Sequence, residues 1–169
     1  MATLDRERLS VTARGDREIV MARVFNAPRR LVWDAWTKPE LFVRWFGSRD
    51  WTVPVCEMDV RAGGTYRYVM RRADGSQEMV MRGEYREVVP PERLVTTEAW
   101  QGFTEPGWRA EDATVTTAVL TERDGKTTWT ATMLYPSQEV RDAALNLQPA
   151  WEGAAEGFDR LAELLEELA

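Results

Sequence analysis

Apolar and polar residues follow three different patterns along this 169-residue chain. Residues 17–25, REIVMARVF, are rich in branched apolar side chains and stop before Pro28, which predicts a strand. Over residues 29–46 the apolar positions recur at helical spacing, with a break at Pro39, which predicts two short helices. Gly47 is suited to end the second of them.

From residue 51 to residue 121 the pattern changes to alternation, which is typical of strands. The clearest stretch is residues 127–135, TTWTATMLY, where one face is apolar and the other is mostly threonine. Turn signals separate the alternating segments, so we expect a meander of about six antiparallel strands. These turn signals are Gly63-Gly64, Asp74-Gly75, Pro90-Pro91 and Asp124-Gly125.

The helical pattern returns after Pro136 and continues to the end of the chain. Because Pro149 disrupts a helix interior, it predicts a short helix to about Asn146 and a long one from about residue 149 to 168. Gly153 and Gly157 weaken the long helix, and one reason to keep them there is the close approach of another segment. This element order predicts an α+β fold.

The chain is predicted to form one domain over residues 17–169, preceded by a polar, flexible arm over residues 1–16 that can contribute a short extended segment. Apolar residues make up 44% and charged residues 30% of the sequence. This composition is ordinary for a globular protein and unlike that of a disordered chain.

Charge and composition argue against several classes of function. The formal charge of −6 disfavours nucleic acid as a partner, and the apolar runs are too short for membrane insertion, so we expect a cytoplasmic protein. The chain has no histidine and a single cysteine, Cys56. We therefore expect no disulfide, no metal site and no cofactor.

Four separated segments resemble bacterial single-domain members of the activator-of-Hsp90-ATPase-like (AHSA1-like) family, within the SRPBCC, or START-like, superfamily. They are ARVFNAPRRLVWDAWTKPELFVRWFG from residue 22, CEMDVRAGGTYRYVM from residue 56, RGEYREVVPPERLV from residue 82, and the EG…FDRLAELL of residues 152–165. The resemblance covers nearly all of residues 17–168.

This resemblance implies the helix-grip fold, a bent antiparallel sheet wrapped around a long C-terminal helix with a cavity between them. Two short helices after the first strand are expected to close one end. The activator that names the family resembles this chain only in its C-terminal domain, so a chaperone partner is not expected.

The aromatic and sulfur-containing side chains are the first candidates for a binding site. Trp33, Trp36 and Trp45 match the family's aromatic positions on the two short helices, where they are expected to pack the cap onto the sheet. Strand parity places methionines on the concave face, where they either fill the core or line a cavity. Methionine adapts to varied apolar partners, so a methionine-lined cavity favours a small hydrophobic molecule.

Polar residues on the same face are few, which is typical of a small-molecule site. Glu98 or Glu87, together with Tyr85, is a weak candidate for proton transfer if burial raises a carboxyl pKa. The alternative, a solvated glutamate at a strand edge, is favoured. Without histidine the commonest base for a nucleophile is missing, and Cys56 is expected to be inert.

We therefore predict non-catalytic binding of a small hydrophobic or aromatic molecule between the sheet and the last helix. An enzyme resembling polyketide cyclases or dehydratases is the first alternative, and a protein-interaction module with an exposed patch and a filled interior is the second. The predicted lining is Trp33, Trp45, Met58, Tyr66, Tyr68, Met70, Met79, Met81, Tyr85, Glu98, Trp100, Trp129, Met133, Trp151 and Phe158.

The segment QGFTEPGWRAED, residues 101–112, carries Phe103 and Trp108 among glycine, proline and acidic residues. Apolar rings in a loop need cover. Three placements remain open: a lid over the cavity mouth, a contact with a second subunit in a homodimer, or packing against the sheet.

Overall fold

The computed structural model describes residues 8–101 and 114–169, and the helices and strands below are those of these two ranges. Eight strands form one antiparallel sheet in the order β1-β2-β8-β7-β6-β5-β4-β3. The strands are β1 Ser10–Arg14, β2 Glu18–Phe25, β3 Trp51–Met58, β4 Thr65–Arg72, β5 Glu78–Val89, β6 Arg93–Gln101, β7 Thr114–Arg123 and β8 Lys126–Leu134.

Four helices accompany the sheet: α1 Arg29–Thr37, α2 Pro39–Phe42, α3 Gln138–Leu145 and α4 Gln148–Leu168. The predicted α+β order is confirmed, with two short helices after the first domain strand, six strands from β3 to β8, and a long terminal helix. The sheet extends into the predicted N-terminal arm, because β1 pairs with β2 from Ser10 to Arg14.

The sheet is held by regular antiparallel pairing, interrupted at two points. Register shifts occur between Thr52 and Val55 on β3 and between Tyr85 and Glu87 on β5. Such irregularities bend a strand and increase its twist. The concave face receives alternate residues of each strand, including Trp129, Ala131 and Met133 of β8.

The core has a densely filled part beneath α1 and the second half of α4. Leu161, Leu164 and Leu165 of α4 are buried at helical spacing in the same cluster as Phe25 and Val32. Burial of such side chains contributes roughly 1.5–3 kcal/mol each. The first half of α4 lies over a different part of the concave face, which contains the candidate site.

The segment between α2 and β3 is attached to α4. The Arg160 guanidinium donates hydrogen bonds to the carbonyl oxygens of Gly47 and Ser48 at 3.1 and 3.2 Å and to that of Arg44 at 3.0 Å. Arg49 adds an ion pair with Glu163. This segment, residues 44–49, is called the α2–β3 loop below and forms part of the cavity wall.

Candidate functional site

A cavity of about 500 Å³ lies between the concave face of the sheet and the first half of α4. Its wall takes residues from β2, β3, β4, β5, β6 and β8, from the α2–β3 loop, and from α1, α3 and α4. A volume of this size is within the range of small-molecule sites.

Tryptophans from several elements contribute to the wall. Five of the seven tryptophans that the structure describes line the cavity, namely Trp36, Trp45, Trp51, Trp100 and Trp151. Hydrogen bonds hold two of these indoles in place, since Trp45 Nε1 donates to the Ala35 carbonyl and Trp151 Nε1 donates to the Ala144 carbonyl, each at 2.9 Å. Because their polar edges are bound to the protein, their apolar surfaces are available to the cavity.

Trp36 connects the cavity to the filled core. Its ring stacks on Trp129 with a centroid distance of 5.2 Å and meets Trp45 edge-on at 4.7 Å. It also lines the cavity, whereas Trp129 behind it does not. One ring therefore packs the α1 cap and forms part of the wall.

Five methionines form the floor of the cavity along the sheet: Met21, Met70, Met79, Met81 and Met133. They come from β2, β4, β5 and β8, so the concave face is lined by flexible, polarizable side chains across its width. Such a surface adapts to the shape of an apolar molecule.

The helix side of the cavity is thin because it contains glycines. A Cβ atom on Gly157 would lie 3.2 Å from the backbone nitrogen and oxygen of Gly47, and one on Gly153 would lie 3.0 Å from the Ser48 hydroxyl oxygen. Both glycines line the cavity where the α2–β3 loop crosses α4. Gly47 itself has a φ of +86°, which favours glycine.

Glu98 of β6 is the acidic group on the sheet side of the cavity. The Thr116 hydroxyl donates a hydrogen bond to Glu98 Oε1 at 3.0 Å, and the Trp100 side chain also hydrogen-bonds to this carboxyl group. The Glu98 side chain keeps some accessible surface where it faces the cavity, and protein atoms enclose the rest of it. This burial raises the pKa of Glu98 to about 7, and the two hydrogen bonds oppose a further rise.

Two tyrosines are the titratable neighbours of Glu98 among the described residues. Burial and the Glu98 charge raise the pKa of Tyr66 and of Tyr135 well above the ordinary value. Both phenols are therefore neutral at any pH near 7. Tyr135 lines the cavity, and Tyr66 lies behind the wall.

A second polar group lies at the exposed end of the cavity. Arg72 of β4 pairs with Asp50 at 3.6 Å, and its guanidinium lies 5.5 Å from the centre of the Trp51 ring. Arg72 is six residues beyond Tyr66 on β4, and Glu98 lies at the level of Tyr66 across β5, so the backbone positions of Arg72 and Glu98 are about 20 Å apart along the strands. Charge is thus concentrated at the two ends of an apolar space.

The structure brings nine of the fifteen predicted lining residues together around the cavity. These are Trp45, Met70, Met79, Met81, Glu98, Trp100, Met133, Trp151 and Phe158. Six lie elsewhere: Trp33, Met58, Tyr66, Tyr68, Tyr85 and Trp129. All six belong to the filled core or pack against it.

The three tyrosines are excluded because they pack on one another. The Tyr66 ring lies 4.9 Å from Tyr68 and 5.4 Å from Tyr85, and Phe42 of α2 covers Tyr68 at 4.4 Å. Strand parity correctly predicts that the three tyrosines lie on the concave face of the sheet, but it cannot predict that other side chains cover them there. Burial raises the pKa of Tyr85 to about 12, so it is a neutral core phenol.

Several wall residues were not predicted. Trp36 is predicted to pack the cap onto the sheet and is not named in the predicted lining. Gly47, Ser48 and Asp50, between α2 and β3, have no periodic pattern that would reveal them. Others had a usable signal, because they share the strand parity or helix face of predicted residues: Met21, Tyr135, Ala144 and Leu147.

Of the weak catalytic candidates, only Glu98 reaches the cavity. Glu87 is exposed and pairs with Arg93 at 3.2 Å, as expected for a solvated glutamate. Cys56 is half-buried outside the wall, and burial raises the pKa of its thiol to about 11. That shift keeps it in the unreactive thiol form.

Residues 8–101 and 114–169 contain neither a cluster of metal ligands nor a helix that could span a membrane. No group of three or more acidic, cysteine or histidine side chains is arranged to hold a metal ion there. None of the helices in these ranges combines the length and apolar character that a membrane span requires. The predicted alternatives for residues 101–112 concern side chains outside the described part of the chain.

A long helix held in a bent antiparallel sheet, with a cavity between them, defines the helix-grip class of α+β proteins. Residues 26–168 match the model of the family described as Activator of Hsp90 ATPase homolog 1-like protein, and the chain belongs to this family. The resemblance noted in the sequence is therefore confirmed. A search of the curated proteins finds no match.

Solved structures of bacterial proteins share this fold. A crystal structure of a Rhodobacter sphaeroides protein has a TM-score of 0.83 at 24% identity, covering 95% of this chain and 99% of that one. A solution structure of an Arthrobacter aurescens protein has a TM-score of 0.80 at 21% identity, covering 94% and 91%. CalU16 from Micromonospora echinospora has a TM-score of 0.59 at 20% identity, covering 93% and 83%.

Proposed function

We propose that this protein binds a small hydrophobic or aromatic molecule in the cavity between the sheet and α4, without transforming it. The observation that carries the proposal is the 500 Å³ space whose wall contains five tryptophans and five methionines. Apolar side chains that face a cavity lack the contacts that packing would supply, so a molecule that fills the cavity supplies them.

The experiment is a thermal melting screen of the purified protein against fatty acids, flavonoids and aromatic polyketides, followed by tryptophan fluorescence. A molecule that binds only the folded state at a hundredfold excess over its Kd contributes about 2.7 kcal/mol. We expect a rise in Tm of several degrees for a bound compound. We also expect a saturable change in fluorescence, because five tryptophans line the cavity.

Filling the cavity supplies the matched control. Ala154 of α4 lines the cavity, and Ala143 of α3 is exposed outside it. We expect Ala154→Phe to weaken binding of a screened compound at least tenfold, while Ala143→Phe keeps the wild-type affinity. Equal affinity of both variants would place the bound compound elsewhere, and no binding by the wild type across the panel would overturn the proposal.

One observation favours a second candidate, an enzyme of the polyketide cyclase or dehydratase sort. Glu98 lines the cavity with a pKa raised to about 7, which suits a general acid or base at neutral pH. Deuterium exchange next to the carbonyls of a bound polyketone, followed by NMR, separates the two candidates. Exchange by the wild type and none by Glu98→Gln would select the enzyme.

The interaction-module alternative has less support. It requires a filled interior and an exposed apolar or charged patch. Within the described ranges, the interior holds a cavity, and the large apolar side chains that are exposed are Val89 and Leu134, which lie on β5 and β8. Two separate side chains on the sheet do not form a docking patch of their own.

A further inference from the structure

The charged side chains in the cavity wall are not balanced. The wall contains two acids, Asp50 and Glu98, and one base, Arg72, among the described residues. Arg72 is paired with Asp50 and lies against the Trp51 ring at the exposed end. Glu98, whose backbone lies about 20 Å away along the strands, is left as an acid without an ion-pair partner in the described wall.

Glu98 nevertheless has a prepared acceptor site. The Thr116 hydroxyl and the Trp100 side chain hydrogen-bond to it, and both are neutral partners that favour the ionised carboxylate. A carboxylate has about four acceptor positions, so further ones are available for a ligand. A buried carboxylate without a countercharge is unfavourable, and either a proton or a bound cation relieves that cost.

The aromatic rings of the cavity wall suit the same kind of ligand. Trp36, Trp45, Trp100 and Trp151 present aromatic surface to the cavity, with Phe158 of α4 beside them. The face of an aromatic ring attracts a cation, most strongly when the site excludes water. An anionic ligand would meet the Glu98 charge in the same space, which disfavours it.

On the basis of the proposed function of the cavity, we propose that its ligand is a lipophilic cation, which carries an amine or quaternary ammonium group on an apolar or aromatic body. The charged nitrogen lies against the Glu98 carboxylate, and the body fills the space between the tryptophans and the methionines.

Three probes with the same aromatic body test this assignment: naphthylmethyltrimethylammonium, its uncharged carbon isostere neopentylnaphthalene, and the anion naphthylacetate. Binding is measured by equilibrium dialysis at pH 8, and the cation preference is the Kd of the neutral probe divided by that of the cation. We expect Glu98→Gln to lower the cation preference at least tenfold. We expect the anion to bind at least tenfold more weakly than the neutral probe.

The matched control is Glu57→Gln, which removes the same charge from an exposed position on β3. We expect it to leave the cation preference within twofold of the wild type. A thermal melt of each variant shows that it is folded before dialysis. The preference is a ratio within one protein, so a small loss of folded fraction affects both probes equally.

The pH dependence supplies an independent readout, because the charge of a quaternary ammonium does not titrate. The groups facing Glu98 in the described structure are Thr116, Trp100, Tyr66 and Tyr135, which stay neutral, and the Asp50–Arg72 pair lies at the other end. We expect the wild type to bind the cation at least tenfold more tightly at pH 8 than at pH 5, and Glu98→Gln to bind it equally at both.

The outcomes separate the two proposals. If the neutral probe binds and Glu98→Gln leaves the cation preference unchanged, the ligand class is wrong while apolar binding in the cavity stands. If the anion binds as tightly as the cation, the charge argument fails. If none of the three probes binds, the cationic ligand class fails, and apolar binding in the cavity is decided by the panel of fatty acids, flavonoids and aromatic polyketides.

Discussion

At the scale of single residues, Glu98 shows how one buried carboxyl group connects stability to pH. Its side chain is enclosed by protein, and this burial makes the folded state hold the proton more tightly than the unfolded chain does, although hydrogen bonds from neutral partners oppose part of the effect. Between the unfolded pKa of about 4.5 and the folded pKa of about 7, folded protein binds more protons than unfolded protein. The Glu98 contribution to stability therefore decreases as pH rises through this window and is constant above it.

We expect Glu98→Gln to remove this pH dependence, because glutamine cannot ionise. From about pH 5 to about pH 8 the variant should gain up to about 3 kcal/mol in free energy of unfolding relative to the wild type. Urea unfolding of both proteins across this range measures the difference, with Glu57→Gln as the exposed control. A difference between wild type and Glu98→Gln that does not change with pH would contradict the raised pKa.

At the scale of elements, the position of α4 depends on its contact with the α2–β3 loop. Gly157 lets the helix backbone approach Gly47 closely, and the Arg160 guanidinium fixes the loop there by hydrogen bonds to its carbonyl oxygens. The loop cannot move away without loss of those bonds. A side chain at position 157 must therefore displace backbone, whereas one at Gly153 meets only the mobile hydroxyl of Ser48.

We expect opposite results from two alanine substitutions in α4. Gly153→Ala should stabilise the protein by up to about 1 kcal/mol, because alanine is the better helix former and the Ser48 hydroxyl can rotate. Gly157→Ala should destabilise it by about 1–3 kcal/mol, because the added methyl overpacks against the Gly47 backbone. Chemical unfolding measures both. Stabilisation by both substitutions would show that the loop yields to the helix.

The elements themselves were largely predictable because each has a local cause. Pro28, Pro39 and Pro149 mark helix starts, and the alternation of residues 127–135 gives the β8 strand to within one residue at each end. Strand parity also gives the face of Met70, Met79 and Met81. What parity cannot give is which part of that face another element covers.

The lining of the site could not be fully predicted, because it depends on which parts of the concave face are covered by other elements. Tyr68 and Met70 are neighbours of the same parity on β4, yet Phe42 lies on Tyr68 while Met70 faces open space. The difference depends on where α2 and its loop cross the sheet, which is a long-range property. For the same reason the wall residues Gly47, Ser48 and Asp50 cannot be predicted, since a segment without periodicity gives no sign of which way its side chains face.

At the scale of the whole molecule, α4 lies over two different surfaces. Its second half packs Leu161, Leu164 and Leu165 into the filled core, and its first half covers the cavity with small residues such as Gly153 and Ala154. Packing of apolar side chains supplies most of a helix's stability in a protein. The first half of α4 therefore has less to hold it in place than the second.

We expect backbone amides in the first half of α4 to exchange with solvent at least tenfold faster than those in the second half, because local opening follows local packing. Helix ends also fray, so the cavity-filling variant Ala154→Phe separates the two causes. If the cavity is responsible, Ala154→Phe should slow exchange in the first half, and the exposed control Ala143→Phe should not. Hydrogen–deuterium exchange measured by mass spectrometry gives both rates. Equal protection of the two halves would mean that the cavity does not weaken the first half of α4. A bound ligand would then not stabilise the protein by ordering that half of the helix.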